Sequence, residues 1–345
     1  MSAVHRVIST LARRAEPSRA VCALAATVLV TALAVAVPAV PAAAFTFGQS
    51  SDARPGIAYA GGTLYVGWAG TDTGHSLNIG ALAFTSSGAF NGWASINTIS
   101  GEQTYAGTGP SITAASVPGY SGDQILAAWS DVNGRLILGH YVGTTTLSCE
   151  IALNQYTHHS PYLIAIGGTV YLTWTGLDSA QHVNILKLSS NLCSTSTTGT
   201  VTLSDTATAG PTLTTDGTNI FVAWPGTGSG QNIWAGQYAG TKTLTHHTCF
   251  CQYASADDLG LTLSYAQSGG GGLLSYHGTN NRAYLLNVTM NSVSISAGGQ
   301  QDGGGTYHGV DVAAVPSSGT NIPSGLYDSF VDSSDGQPTF NWVGI

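Results

Sequence analysis

The sequence predicts an all-β fold, a six-bladed β-propeller whose N-terminal strand closes the last blade. A short apolar motif that ends in an aromatic residue recurs through the chain, and its copies are about 50 residues apart. Four short antiparallel strands fit into a unit of that length, which is typical of a propeller blade. The copies are LYVGW at 64–68, ILAAW at 125–129, VYLTW at 170–174, IFVAW at 220–224, LLSY at 273–276 and LYDSF at 326–330.

Each copy is the second strand of a predicted hairpin. The preceding segment has an aliphatic third residue and small or polar neighbours, which is the two-residue period of a strand. A short turn such as Gly167-Gly168 joins the two strands. A turn rich in Gly, Asp and Asn then leads to a third strand, and about 20 further residues allow an outer fourth strand. The first strands begin at residues 55, 110, 161, 211, 261 and 310.

The last unit indicates how the ring closes. It ends at Ile345, directly after its third strand, so it has no fourth strand of its own. Phe45-Thr46-Phe47 precede the first unit and can pair with residues 340–342, which removes an open sheet edge. A β-helix or a β-sandwich is the alternative architecture.

Residues 1–44 are predicted to be a signal peptide, and residues 45–345 the propeller domain. The leader has four arginines, an apolar run from Val21 to Val37 and the small-residue end Ala42-Ala43-Ala44. This pattern indicates secretion with cleavage after Ala44. An uncleaved membrane anchor is the alternative, because the apolar run of 17 residues nearly reaches a spanning length.

Without the leader, 16 of the 17 acidic residues and 5 of the 9 basic residues remain. This acidic balance argues against nucleic acid as a partner and against a membrane once the leader is cleaved. Charged residues make up only 8% of the chain. The predicted surface is therefore neutral and hydrogen-bonding, which suits a glycan or polysaccharide partner.

Four cysteines remain outside the leader: Cys149, Cys193, Cys249 and Cys251. An even number in an exported chain predicts disulfides, with three possible pairings. The run from His246 to Cys251 could alternatively bind a soft metal ion. Oxidation outcompetes metal binding outside the cell, so neither a metal nor a cofactor is expected.

Two recurring residue types have both a structural and a functional interpretation. Asp72, Asp131 and Asp178 follow the aromatic position in three copies, where aspartate commonly bonds to the turn backbone. The aromatic residues could stack on sugars, but their repeated position favours burial between neighbouring blades. These aromatic residues are Trp68, Trp129, Trp174 and Trp224.

The segments Ser50–Pro55, LYVGWAGTD at 64–72 and His75–Ile79 resemble the repeat of sialidase-like (BNR-type) propellers secreted by bacteria. The resemblance covers residues 45–345 and implies the propeller fold. The sialidase Asp-box, S-x-D-x-G-x-x-W, is approximated by Ser333–Gly336 and Phe340, with a spacing that differs by one residue. This difference favours the non-catalytic branch of the family.

The predicted function is that of a lectin-like module that binds neutral or cell-wall glycans through the loops of one face. Its predicted ligand-binding residues come from blades one, five and six: Asp52, Arg54, His277, Arg282, Tyr307 and His308. A sialidase-like exo-glycosidase and a protein-interaction scaffold are the alternatives. The glycosidase needs an arginine cluster and a Tyr–Glu pair, and no catalytic residues are assigned.

Overall fold

The computed structural model describes residues 45–46, 48–166, 168–194, 199–263, 271–292, 294–316, 325–332 and 338–344. The predicted leader, residues 1–44, lies outside them. Ala42–Ile345 form one compact unit. Its described part consists of β-strands and one short 3-10 helix, Leu192–Ser194, which confirms the all-β class. Among these residues, no helix has the length and apolar character needed to span a bilayer.

Four sheets each contain four consecutive antiparallel strands in chain order. The first consists of β2 (Gly56–Ala60), β3 (Thr63–Ala69), β4 (Ser76–Phe84) and β5 (Phe90–Gln103). The second consists of β6 (Ser111–Ser116), β7 (Asp123–Ser130), β8 (Arg135–Tyr141) and β9 (Leu147–Tyr156). The third consists of β10 (Tyr162–Ile166), β11 (Thr169–Thr175), β12 (His182–Ser189) and β13 (Val201–Thr206). The fourth consists of β14 (Thr212–Thr215), β15 (Ile220–Pro225), β16 (Asn232–Tyr238) and β17 (Thr245–Ala254).

A fifth sheet contains seven strands, in the order β1-β23-β22-β21-β20-β19-β18. Its strands are β1 (Phe45–Thr46), β18 (Gly260–Leu263), β19 (Gly271–His277), β20 (Arg282–Met290), β21 (Ile295–Val315), β22 (Gly325–Asp332) and β23 (Pro338–Gly344). The prediction of six separate blades is therefore wrong, because the structure has five sheets. The reason is β21, which runs without a break, pairs with β20 along residues 295–305 and pairs with β22 along residues 306–315.

The N-terminal segment pairs with the last strand, as the sequence predicts. Phe45 lies opposite Phe340 and Thr46 opposite Thr339, while Phe47 lies outside the described residues. The first strands of successive sheets contact one another in the order β2, β6, β10, β14 and β18, and β21 contacts both β18 and β2. This succession closes on itself, which is the arrangement of a β-propeller.

The four tryptophans that end the second strands are buried, with at most 2% of their surface exposed. Each packs between its own sheet and the preceding one. Trp174, for example, shares a cluster with Leu126 and Leu138 of the second sheet, and Trp68 shares one with Tyr327 of the seven-stranded sheet. The predicted structural role of these tryptophans is confirmed.

Two disulfides join the four cysteines, Cys149 to Cys193 and Cys249 to Cys251. The first links β9 of the second sheet to the 3-10 helix that follows β12 in the third. The second lies within β17. The predicted presence of disulfides is thus confirmed, and of the three possible pairings this is the one that the fold brings together.

Candidate functional site

A turn of one kind joins the second and third strands of the first three sheets. It begins at Asp72, Asp131 and Asp178, whose carboxylates accept backbone N–H groups two and four residues later. In Asp131 these bonds measure 2.8 Å from Asn133 and 2.9 Å from Arg135. Burial raises the pKa of Asp72 and Asp178, but hydrogen bonds outweigh it and hold each pKa below its ordinary value; they come from the turn backbone and, in Asp178, first from the His182 side chain. The aspartates therefore stabilise the turns, as predicted.

The residue that ends each turn connects it to the segment after the outer strand. His75 and Gln181, and Gln231 in the corresponding turn of the fourth sheet, have the left-handed backbone conformation that non-glycine residues rarely adopt, with φ of 49°, 58° and 45°. The His75 carbonyl accepts the Thr104 N–H at 2.9 Å, and the Gln181 carbonyl accepts the Ala207 N–H at 3.0 Å. Turns and inter-sheet segments thus share one face of the propeller, which we call the rim.

Arg54 lies at the axis beneath the rim. Its Nη1 donates to the Leu259 carbonyl at 2.6 Å and its Nη2 to the Pro161 carbonyl at 3.1 Å. The side chain therefore reaches from the first sheet to the third and to the segment before β18. Only 2% of Arg54 is exposed, so the expectation that it projects from the rim is wrong. A guanidinium group has several donors and can bond to carbonyls of several segments at once, which favours a buried position.

Two buried aspartates and a tyrosine surround Arg54. Asp311 of β21 accepts the Tyr162 hydroxyl at 2.8 Å and the Ile57 N–H at 3.1 Å. Asp258 accepts N–H groups of Ser160 and Gly210, which precede the third and fourth sheets. The Arg54 guanidinium lies 5.0 Å from the centre of the Tyr162 ring, a cation–π contact. We call Arg54, Tyr162, Asp258 and Asp311 the axial cluster.

Burial is the main influence on the pKa values in the axial cluster. It raises the pKa of Asp258 and of Asp311, and the charge of Arg54 opposes the rise in both. The pKa of Tyr162 is also raised by burial, and further by the neighbouring charge of Asp311. The charge of Arg54 thus partly offsets the desolvation of the two buried carboxyl groups.

Two predicted site residues form His–Asp pairs on the rim. Asp52 forms an ion pair with His75, and both side chains are about one quarter exposed. The Nδ1 of His277 lies 3.8 Å from Asp257 Oδ2. Only 7% of the His277 side chain is exposed, and neither of its ring nitrogens has a hydrogen-bond partner among the described residues.

The remaining predicted site residues belong to the seven-stranded sheet. Arg282 is exposed at the start of β20. Tyr307 and His308 belong to β21, where the His308 backbone is paired with Val331, and their side chains lie outside the described part of the chain. Arg54 donates to the carbonyl of Leu259, two residues after Asp257, which pairs with His277. Whether this set binds a ligand stays a prediction.

Sequence reasoning missed Tyr162 and Asp311. Both occupy the second position of a first strand, where other copies have Gly56, Ser111 and Thr212. A large or charged residue among such small neighbours was the available signal. In the part of the chain that the structure describes, no group of three or more His, Cys, Asp or Glu residues could hold a metal ion.

Solved structures share this fold. A mutant of AofleA from Arthrobotrys oligospora superimposes with a TM-score of 0.60 at 9% identity, over 88% of this chain and 86% of that one. The SapL1 lectin, solved with alpha methyl fucoside, gives 0.53 at 17% identity, over 86% and 97%. A subtype N11 neuraminidase-like protein of a flat-faced bat virus gives 0.51 at 10% identity, over 87% and 92%.

At these identities the likeness shows the fold alone, a β-propeller that occurs in lectins and in a neuraminidase-like protein. No protein-family model matches the sequence, and no curated protein sequence matches it either.

Proposed function

We propose that this protein is a secreted, lectin-like propeller that binds neutral or cell-wall glycans through its rim. We place the main site on the arc formed by Asp52, His277, Arg282, Tyr307 and His308, with Arg54 beneath it as a positioning residue. The fold supports the assignment, since SapL1 shares it and was solved with a fucoside. The predicted leader supports secretion, and the repeat supports the non-catalytic branch of the BNR-type family.

The closed axis is the observation that carries this proposal. Arg54 and Tyr162 extend across the axis, where the Tyr162 hydroxyl that donates to Asp311 also lies 3.3 Å from the Leu261 carbonyl. The rim itself offers accessible carboxylates, imidazoles and hydroxyls, as in the Asp52–His75 pair. Such groups exchange hydrogen bonds with sugar hydroxyls and need no deep, charged pocket.

The arginines argue against the sialidase-like alternative. Binding of an acidic sugar calls for guanidinium groups that face the ligand carboxylate. Arg54 is committed to two backbone carbonyls. Arg135 donates likewise to the Leu153 carbonyl at 2.7 Å and the Ala152 carbonyl at 3.1 Å. Two of the three arginines outside the leader are thus bound to the protein itself.

The test is a glycan array with residues 42–345, followed by calorimetry with methyl α-L-fucoside and by a fluorogenic sialoside assay. We expect saturable binding of neutral glycans that Asp52→Asn and Arg282→Ala weaken without lowering Tm. Asp123→Asn is the matched control, because Asp123 begins β7 at the opposite face. Sialoside hydrolysis, or no binding to any neutral glycan, would contradict the proposal.

A further inference from the structure

The boundary between the third and fourth sheets departs from the arrangement in the first and third sheets. In the first and third sheets, the cross-strand partner of the buried tryptophan is an asparagine, Asn78 opposite Trp68 and Asn184 opposite Trp174. Both asparagines are buried, and each side chain donates one hydrogen bond and accepts one within its own sheet. Asn184, for example, donates to the His182 carbonyl at 2.9 Å and accepts the Thr202 hydroxyl at 2.7 Å.

In the fourth sheet the same position holds a second tryptophan, Trp234, opposite Trp224. Its side chain is only partly buried. One edge of its indole lies against Gly226, where an added Cβ would come within 2.8 Å of the ring. An aromatic residue that stays partly exposed loses part of the free energy that burial would give. Trp234 thus packs against the buried cluster that contains Trp224 and leaves part of its indole exposed.

The outer strand β17 is distorted beside Trp234. His246 has φ of 51°, a conformation that costs a non-glycine residue energy. The pairing of β16 with β17 shifts register at this point, between Ala235 and Gln237. Three residues after His246, the Cys249–Cys251 disulfide begins and holds its Cα atoms 5.0 Å apart, whereas a regular strand separates them by about 6.6 Å.

The His247 side chain lies at the boundary between the third and fourth sheets. Its ring stacks on Trp234 with a centroid distance of 5.0 Å and an angle of 30°. Its Nε2 lies 2.9 Å from Oδ1 of Asp205 on β13. Next to this pair, the hydroxyls of Thr206 and Thr227 lie 2.9 Å apart across the same boundary. An aromatic surface, a carboxylate, an imidazole and two hydroxyls thus meet between two sheets.

We propose that this boundary is a second glycan-binding site, separate from the arc, which takes a neutral sugar ring. We call Asp205, Thr206, Thr227, Trp234 and His247 the boundary site. The inference rests on the proposed glycan-binding function. An apolar C–H face of the sugar packs on the exposed part of the stacked rings.

Hydrogen bonds fix the orientation of the sugar. With Nε2–H donating to Asp205, Nδ1 of His247 is an acceptor and has no hydrogen-bond partner among the described residues. The second carboxylate oxygen of Asp205 and the hydroxyls of Thr206 and Thr227 are the other groups that can bond to the sugar. The carboxylate of Asp205 repels an acidic sugar, which restricts the site to neutral ones.

The test follows the indole N–H resonances by NMR while residues 42–345 are titrated with methyl α-L-fucoside or methyl β-D-galactoside. Trp234→Asn assigns the Trp234 signal and restores the residue found in the first and third sheets. We expect this signal to shift with a saturable isotherm. Asp205→Asn and His247→Gln should each raise the Kd read from it by roughly tenfold to a hundredfold.

His182→Gln is the matched control, because it removes an equivalent imidazole–carboxylate pair, with Asp178, at 2.7 Å, outside both sites. It should leave the Trp234 isotherm unchanged. Binding that weakens with Asp52→Asn but never shifts the Trp234 signal would overturn the boundary site and leave the arc intact. The absence of binding of any neutral glycan would overturn both proposals. If Trp234→Asn fails to fold, Asp205→Asn, at a side chain that is 18% exposed, decides the matter.

Discussion

The Arg54 guanidinium is the positive charge that opposes the burial of Asp258 and Asp311 at the axis. It also supplies hydrogen bonds to two sheets other than its own. A buried cation that compensates nearby buried carboxylates adds little net stability relative to apolar packing. Removal of the arginine is destabilising, because the carboxyl groups then remain buried without a compensating charge.

We expect Arg54→Ala to lower the free energy of unfolding by about 3–5 kcal/mol, since it breaks a buried charge cluster. Urea unfolding at neutral pH measures the change. Arg282→Ala is the control, because Arg282 is exposed and such a substitution changes stability by about 0.5 kcal/mol or less. A loss of the same size in both variants would mean that the axial cluster has no special role.

Glu102 and Glu150, the only glutamates outside the leader, interact across the outer strands β5 and β9. Burial raises the pKa of Glu102 to about 7 from its ordinary 4.5, and the charge of Glu150 and a hydrogen bond to it add to the rise. The folded protein therefore binds a proton at Glu102 that the unfolded chain releases.

A raised carboxyl pKa contributes stability that is complete below pH 4.5 and is lost as the pH rises through about 7. We expect Glu102→Gln to flatten the pH dependence of the unfolding free energy between these values. Denaturant unfolding from pH 4 to pH 8 measures it, with Asp123→Asn as the control. An unchanged slope in Glu102→Gln would show that the two glutamates do not share a proton.

In the recurring hairpins, the aromatic residue at the end of the second strand packs against two sheets. A tryptophan at the end of the second strand fills the gap toward the preceding sheet, as Trp129 does against Leu77 and Ile79. The fifth copy uses Tyr276, which packs with Phe221 and Phe250 of the fourth sheet. A large ring at this position thus supplies core area to two sheets at once.

We expect Trp174→Ala to cost about 3–5 kcal/mol, because it empties a volume between the second and third sheets. Thermal and urea unfolding measure it. Leu177→Ala, at a site 48% exposed on the adjoining turn, should leave stability nearly unchanged. Unaltered melting of Trp174→Ala together with lost glycan binding would assign the ring to the ligand instead.

The chain as a whole carries a formal charge of −8, and among the described residues Arg54 and Arg135 both donate to backbone carbonyls. Four close pairs each join a histidine to an aspartate. Such a surface offers hydrogen bonds with little electrostatic attraction for an anion.

We therefore expect glycan affinity to change less than about twofold between roughly 50 mM and 500 mM NaCl, since a neutral ligand gains nothing from unscreened charge. Calorimetry with methyl α-L-fucoside at both salt concentrations measures it. A sialoside recognised through arginine would lose affinity steeply over the same range, and that result would favour the sialidase-like alternative.

The sequence by itself predicted the features that depend on neighbouring residues. Two-residue alternation and glycine turns identify the hairpins, and the missing last strand predicted the pairing of Phe45 with Phe340. Asp131 and its counterparts stabilise turns through bonds that span two and four residues. These features could be predicted because their causes lie within one repeat.

Tertiary structure decided what depends on distant segments. Asp311 bonds to Ile57 across 254 positions and Arg54 to Leu259 across 205, so a residue predicted on the rim lies at the axis. The five-sheet count depends on a β21 that continues where a break was expected. The pairing of Cys149 with Cys193 and the meeting of Asp205 with His247 arise only when sheets become neighbours. No local period encodes which side chains face each other across that boundary, because their proximity is a property of the closed ring.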